Sequence, residues 1–360
     1  MTPRDLHPAA WWMWALGLAA AASSTINPFL LVLIVLAACL MVVARRTEAP
    51  WALSFRLYLY LAGLIVVIRV LFRVVFGGFD DTVVLVHLPR IPLPDVAAGI
   101  QLLGPVTRYD VLSGLYDGLR LAAIVLCVGA ANTLANPKRL LKSLPPALYE
   151  AGTAVIVALS LFPQLAESVR RVRRARHLRG DPGRGVGALR RIVVPVMEDA
   201  LDRSLFLAAG MDARGYGRSG VATARARRLT GALLLAGLMG LCIGVYALLD
   251  HTAPRALAWP FIGLGVLLAV GGFASAGRRV ERTRYRPDRW RGAELLTAGC
   301  GIAAAALVMT ADLDIAYPGF DVVPQLSVPV LLAVMIGIVP ALATPPPLLD
   351  AAGSTAEAPR

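Results

Sequence analysis

Two arginines, each followed at once by a glycine and each closing a helical pattern, are the residues best placed to do chemistry: Arg179 with Gly180, and Arg214 with Gly215. A guanidinium offers a rigid fork of donors that matches a carboxylate, and a glycine after it supplies the left-handed turn that ends a helix. That chemistry is recognition. The first pattern reads FPQLAESVRRVRRARHLRG from Phe162, with Leu165, Val169 and Val172 on one face and arginine over most of the rest. Such a helix is amphipathic. Pro182 forbids its continuation, so it is expected to end at Gly180 with Arg176 and Arg179 in its last turn. A second helix is expected after Pro195, reading VMEDALDRSLFLAAGMDARGYG, with Glu198 and Asp199 near its positive end. Leu207, Met211 and Arg214 share its face, which suits insertion of a helix tip into a partner's groove.

Catalytic chemistry is not in view. His7, His87, His177 and His251 lie scattered, and neither HExxH nor a pair of carboxylates at working distance occurs. Lys138 and Lys142 are the only lysines among 36 basic residues and neither follows a glycine, so no P-loop is present. Gly215, Gly217 and Gly220 satisfy GxGxxG, but a helical segment precedes them where dinucleotide binding requires a strand. Cys39, Cys127, Cys242 and Cys300 sit far apart in apolar runs and read as small buried hydrophobes. No enzyme, cofactor or metal site is expected.

The elements that must position the two arginines are set by the bilayer. Of 360 residues, 57% are hydrophobic and 16% charged, against roughly a quarter charged in soluble domains. A membrane helix needs roughly 17 to 25 apolar residues. Eight stretches are predicted to span: about 9–25, 28–44, 52–76, 113–134, 229–249, 257–275, 294–311 and 326–343. The start, Arg4 and then an apolar run, has the look of a signal peptide; immediate continuation into the next run favours a retained first helix. The fold class is therefore all-α and polytopic, with amphipathic cytoplasmic helices.

Fifteen arginines between Arg170 and Arg228 mark that segment as cytoplasmic. From there the loops alternate without contradiction, and both termini fall inside. The net charge of +13 is thus loop charge, not a nucleic-acid surface. Residues 147–162, bounded by Pro146 and Pro163, are short and flanked by basic residues on both sides, which favours a helix along or dipping into the inner leaflet over a crossing. Arg56, Arg69 and Arg73 in the third span read as snorkelling or structurally paired rather than partner-binding. Gly240 and Gly244 make a GxxxG that chance explains in a chain with 33 glycines. The expected organisation is membrane helices in 1–134, a coupling segment in 135–228, further membrane helices in 229–343, and a disordered tail in 344–360.

At the two Arg-Gly ends the sequence resembles the transmembrane (T) component of energy-coupling-factor (ECF) transporters, the EcfT/CbiQ family. There, two Ala-Arg-Gly motifs end cytoplasmic coupling helices. Ala213, Arg214, Gly215 and Tyr216 match the second motif, and Leu178, Arg179, Gly180 the first, with leucine in place of alanine. LANPKRLLKSL from Leu134, Phe162-Pro163 and Asn27-Pro28 extend the likeness over about residues 8–250. The resemblance implies a non-catalytic subunit joining a small substrate-binding membrane (S) subunit to two cytoplasmic ABC-type ATPases for vitamin or metal uptake. It implies that Arg179 and Arg214 dock into those ATPases. A stand-alone secondary transporter, an integral membrane enzyme and a scaffold for anionic lipid are the rival readings. The first would want ionisable groups at mid-membrane in matching halves, the second a cluster of catalytic groups, and the third would not depend on these two arginines.

Overall fold

The computed structural model describes residues 4–46, 55–76, 83–89, 91–92, 101–102, 104–143, 148–180, 186–215, 224–249, 254–277 and 289–346. The elements are α1 (Pro8–Ser23), α2 (Pro28–Arg45), α3 (Phe55–Phe76), β1 (Val84–His87), β2 (Ile91–Pro92), β3 (Gln101–Leu102), β4 (Pro105–Thr107), α4 (Arg108–Leu134) and α5 (Pro137–Lys142). They continue as α6 (Tyr149–Leu178), α7 (Val186–Ala213), α8 (Ala224–Leu249), α9 (Arg255–Gly277), α10 (Gly292–Met309), α11 (Leu313–Ala316) and α12 (Val328–Ala343). The fold is all-α apart from two short antiparallel pairs, β1 with β4 and β2 with β3, in the stretch between α3 and α4.

Each of the eight expected spans falls on a helix: α1, α2, α3, α4, α8, α9, α10 and α12. Among the described residues seven helices are long and apolar enough to cross a membrane, α2, α3, α4, α6, α8, α9 and α10; α12 is a shorter apolar one, and α1, with 16 residues, is not among the seven. The chain is a multi-pass membrane protein. It divides into two compact units, residues 1–140 with 288–360, and residues 141–287. The helices beyond residue 229 are shared between them, α8 and α9 in the second and α10 to α12 in the first.

In the first unit the amino-terminal and carboxy-terminal helices build one core. Trp14, Leu18, Leu30, Leu31, Ile34 and Met41 are the largest of its apolar side chains that are almost fully buried. Asn27 caps α2 by accepting from the amides of Phe29 and Leu30, with Pro28 in the first turn where its missing N–H costs nothing. Its Nδ2 then donates to the carbonyls of Ile315 and Gln325, both at 2.9 Å. Trp14 Nε1 donates to the Gly337 carbonyl at 2.9 Å, and Arg45 Nη2 to the Ala341 carbonyl at 2.7 Å. Arg4 Nη2 donates to both oxygens of Glu294, at 2.9 and 2.8 Å, and Glu294 is 1% exposed. Where α1 meets α10, a Cβ added to Gly17 would lie 2.3 Å from the Gly301 carbonyl oxygen. Only backbone fits there.

Arg73, at the far end of α3, pairs with Asp117 of α4 at 3.5 Å, the structural pairing expected of it.

In the second unit α8 and α9 run antiparallel on small residues. Added Cβ atoms at Gly237, Gly240 and Gly244 would meet Ala269, Gly265 and Ile262 in turn, at 2.7, 3.0 and 2.5 Å. The GxxxG read as chance is therefore a packing surface, because close helix approach needs small residues on both partners. The cysteine reading also needs correction at one position. Cys127 is buried, whereas Cys242 is exposed on α8, since an apolar helix facing lipid has no reason to turn its thiol inward.

Candidate functional site

The helices that carry the two arginines are longer than their sequence patterns indicated. α6 is one helix of 30 residues with Pro163 inside it, and α7 one of 28 residues with Pro195 inside it. The run 147–162 is thus not a separate helix; from Tyr149 it is the first half of the helix that ends at the first Arg-Gly. Proline removes one intrahelical hydrogen bond and favours a kink, but apolar helices tolerate it where neighbouring groups make up the loss. By length and composition Gly152–Leu178 is itself among the candidate spans.

The two helices end alike. Gly180 has φ +73° and Gly215 φ +75°, the left-handed region that closes a helix. At the first end the Arg179 amide donates to the carbonyls of Ala175 and Arg176, and the Gly180 amide to that of His177. At the second, the Arg214 amide donates to Met211 and the Gly215 amide to Asp212 at 2.8 Å. Arg179, Gly180, Ala213, Arg214 and Gly215 are all exposed. Leu178, the residue that departs from alanine, is 87% exposed. Tyr216 lies outside the described residues.

Between the tips α6 and α7 are held together by a polar clamp that the sequence reading missed. Asp199 of α7 accepts from Arg171 of α6 at 2.9 Å and from Arg203, one turn along α7, at 3.1 Å. Arg203 also donates to Gln164 of α6 at 3.2 Å. Hydrogen bonds from Ser168 and Arg203, aided by the charges of Arg203 and Arg171, hold the Asp199 carboxyl below its ordinary range. In the sequence Asp199 reads as a helix-start charge, and the local signal of its role is the i,i+4 spacing from Arg203. Around the clamp, Leu165, Val169 and Val172 are half-buried and Ser168 is buried.

These contacts fix direction. Arg171 meets Asp199 and Gln164 meets Arg203, so the helices run antiparallel at the clamp. Arg179 then lies about 12 Å from it along α6, and Arg214 about 22 Å from it along α7, in opposite directions at 1.5 Å per residue. The tips stand at opposite ends of one lever pair. The other face of α7 is apolar and open: Leu189, Val193, Met197, Leu201 and Leu205 recur every four residues and are 44–67% exposed.

Among the described residues no three His, Cys, Asp or Glu side chains gather as a metal site would require.

No curated protein matches the chain. The family of CbiQ, the cobalt transport protein, matches residues 2–223. That stretch takes in α1 to α7 and both Arg-Gly ends, and leaves α8 to α12 beyond it. The chain therefore belongs to the CbiQ cobalt transport protein family, a multi-pass membrane component of cobalt and ECF-type transporters.

Proposed function

We propose that this chain is the coupling (T) subunit of an ECF-type importer in the cell membrane, with both termini cytoplasmic, linking ATP hydrolysis by two partner ATPases to uptake of a transition metal or vitamin through a membrane S subunit. The observation that carries the proposal is the pair of exposed Arg-Gly tips, closed by the same left-handed turn and pointing opposite ways from one clamp. Two tips facing apart suit two separate grooves.

In this reading Arg179 and Arg214 each fork onto a carboxylate in one ATPase. Gly180 and Gly215 stop the helices so that nothing longer blocks entry, and Ala213 and Tyr216 complete the second tip. ATP-driven approach of the ATPases draws the tips together. The clamp at Asp199 makes α6 and α7 respond as a unit, and the apolar face of α7 from Leu189 to Leu205 carries the movement to the S subunit. A contiguous apolar face of this kind is costly to leave in water and marks an interaction surface. The α6 arginines outside the tip, among them Arg170, Arg173 and Arg174, lie against the anionic inner leaflet at about 1 kcal/mol each.

The test is co-purification with native partners in mild detergent. Two ATPases and a small membrane protein are expected with the wild-type chain, and loss of the ATPases with the Arg179→Ala, Arg214→Ala double variant. Undiminished ATPase binding by that variant would overturn the proposal.

A further inference from the structure

The facing ends of α2 and α3 bound a cleft of about 310 Å³, near the lower end of the roughly 300 to 1,000 Å³ typical of ligand sites. Cys39, Val42 and Val43 of α2 and Phe55 and Leu59 of α3 line it, together with Arg46 and Arg56. Apart from the two arginines, the lining side chains among the described residues are apolar or a thiol and give ordered water little hold. An apolar chain suits them.

The two arginines set the other half of the ligand. Both are exposed, and neither makes an ion pair among the described residues. Other arginines of the same two helices differ: Arg45 is spent on the Ala341 carbonyl and Arg73, at the far end of α3, on Asp117. Among the described residues no carboxylate lines the cleft. Arg46 follows the last residue of α2 and Arg56 is the second of α3, which puts both at helix ends, the level of lipid headgroups. Positive charge at short loops faces the cytoplasm, so the leaflet is the inner, anionic one.

We propose that this cleft is a binding site for one anionic phospholipid, with its phosphate between Arg46 and Arg56 and an acyl chain along Val42, Val43 and Leu59. A free phosphate would satisfy the arginines and leave the walls bare, whereas a lipid uses both. The site belongs to α2 and α3 of the first unit, not to the helices that carry the Arg-Gly ends, and stands or falls independently of the coupling role.

The test uses the full chain in a nonionic detergent and phosphatidylglycerol carrying a photoreactive diazirine in one acyl chain, with adducts mapped by peptide mass spectrometry. Adducts are expected at Cys39, Val43 or Leu59, with unlabelled phosphatidylglycerol competing and phosphatidylcholine competing far less. The Arg46→Gln, Arg56→Gln double variant is expected to weaken labelling roughly thirtyfold, the worth of two basic residues near an anionic surface. Leu59→Trp, which fills the cleft and keeps both arginines, is expected to abolish it. Should the double variant fail to fold, Leu59→Trp and the competition series on wild type decide the matter. Adducts spread evenly along the exposed face of α3, equal competition by phosphatidylcholine, or full competition by inorganic phosphate would each overturn the proposal.

Discussion

At Gly180 and Gly215 the backbone sits at φ +73° and +75°, with open space where a Cβ would stand. Alanine there meets no neighbour and costs only backbone strain, about 1 to 2 kcal/mol. Gly180→Ala is therefore expected to leave the fold intact while fraying the last turn of α6, seen as faster amide exchange at Arg179 with little change in overall thermal stability. Asp199 offers a second test at this scale. Its carboxyl titrates below the ordinary value, so its contribution is present above the unfolded range near pH 4 and lost as pH falls through the lowered folded value. A spin-label pair across α6 and α7 is expected to report one fixed distance from about pH 5 to 8 and to broaden in stronger acid. Asp199→Asn is expected to broaden that distance at neutral pH, where the charge that holds Arg171 and Arg203 is gone.

Among the elements, the closest approaches depend on glycine. Gly301 and Gly17 bring α1 and α10 together on backbone alone, so Gly301→Val is expected to force them apart and cost about 3 kcal/mol, at the upper end for overpacked cores. The readout is a lowered melting temperature in detergent. Gly187, with nothing near its Cβ position, is the control. Sequence periodicity located the apolar helices well because a bilayer demands long apolar runs. It misjudged α6 and α7 because Pro163 and Pro195 are strong stop signals in isolation and were read as boundaries. Packing of the surrounding helix overrides that local preference. The GxxxG at Gly240 was undervalued for a related reason: its partner Gly265 is distant in sequence, and only the fold shows them face to face.

For the molecule as a whole, the two Arg-Gly tips were legible because a helix end, an arginine and a glycine are local features. The clamp at Asp199 and the return of α10 to α12 onto α1 and α2 were not, since both join residues remote in the chain. The family match ends at residue 223, yet Asn27, Trp14, Arg45 and Arg4 all find partners in residues 294–341. Deleting residues 289–346 is expected to leave those groups unsatisfied, and Glu294 removal alone would strand Arg4. The truncated chain is expected to aggregate or degrade where the full chain is stable, measured by fluorescence-detected size exclusion. The central claim concerns what the two tips touch. A photoreactive amino acid at Leu178, and separately at Ala213, read out by cross-linking in the assembled transporter, tests it most directly. Adducts to an ATPase from both positions, with a probe at Leu201 instead reaching a membrane partner, are the expected result; adducts only to lipid from Leu178 and Ala213 would contradict the account.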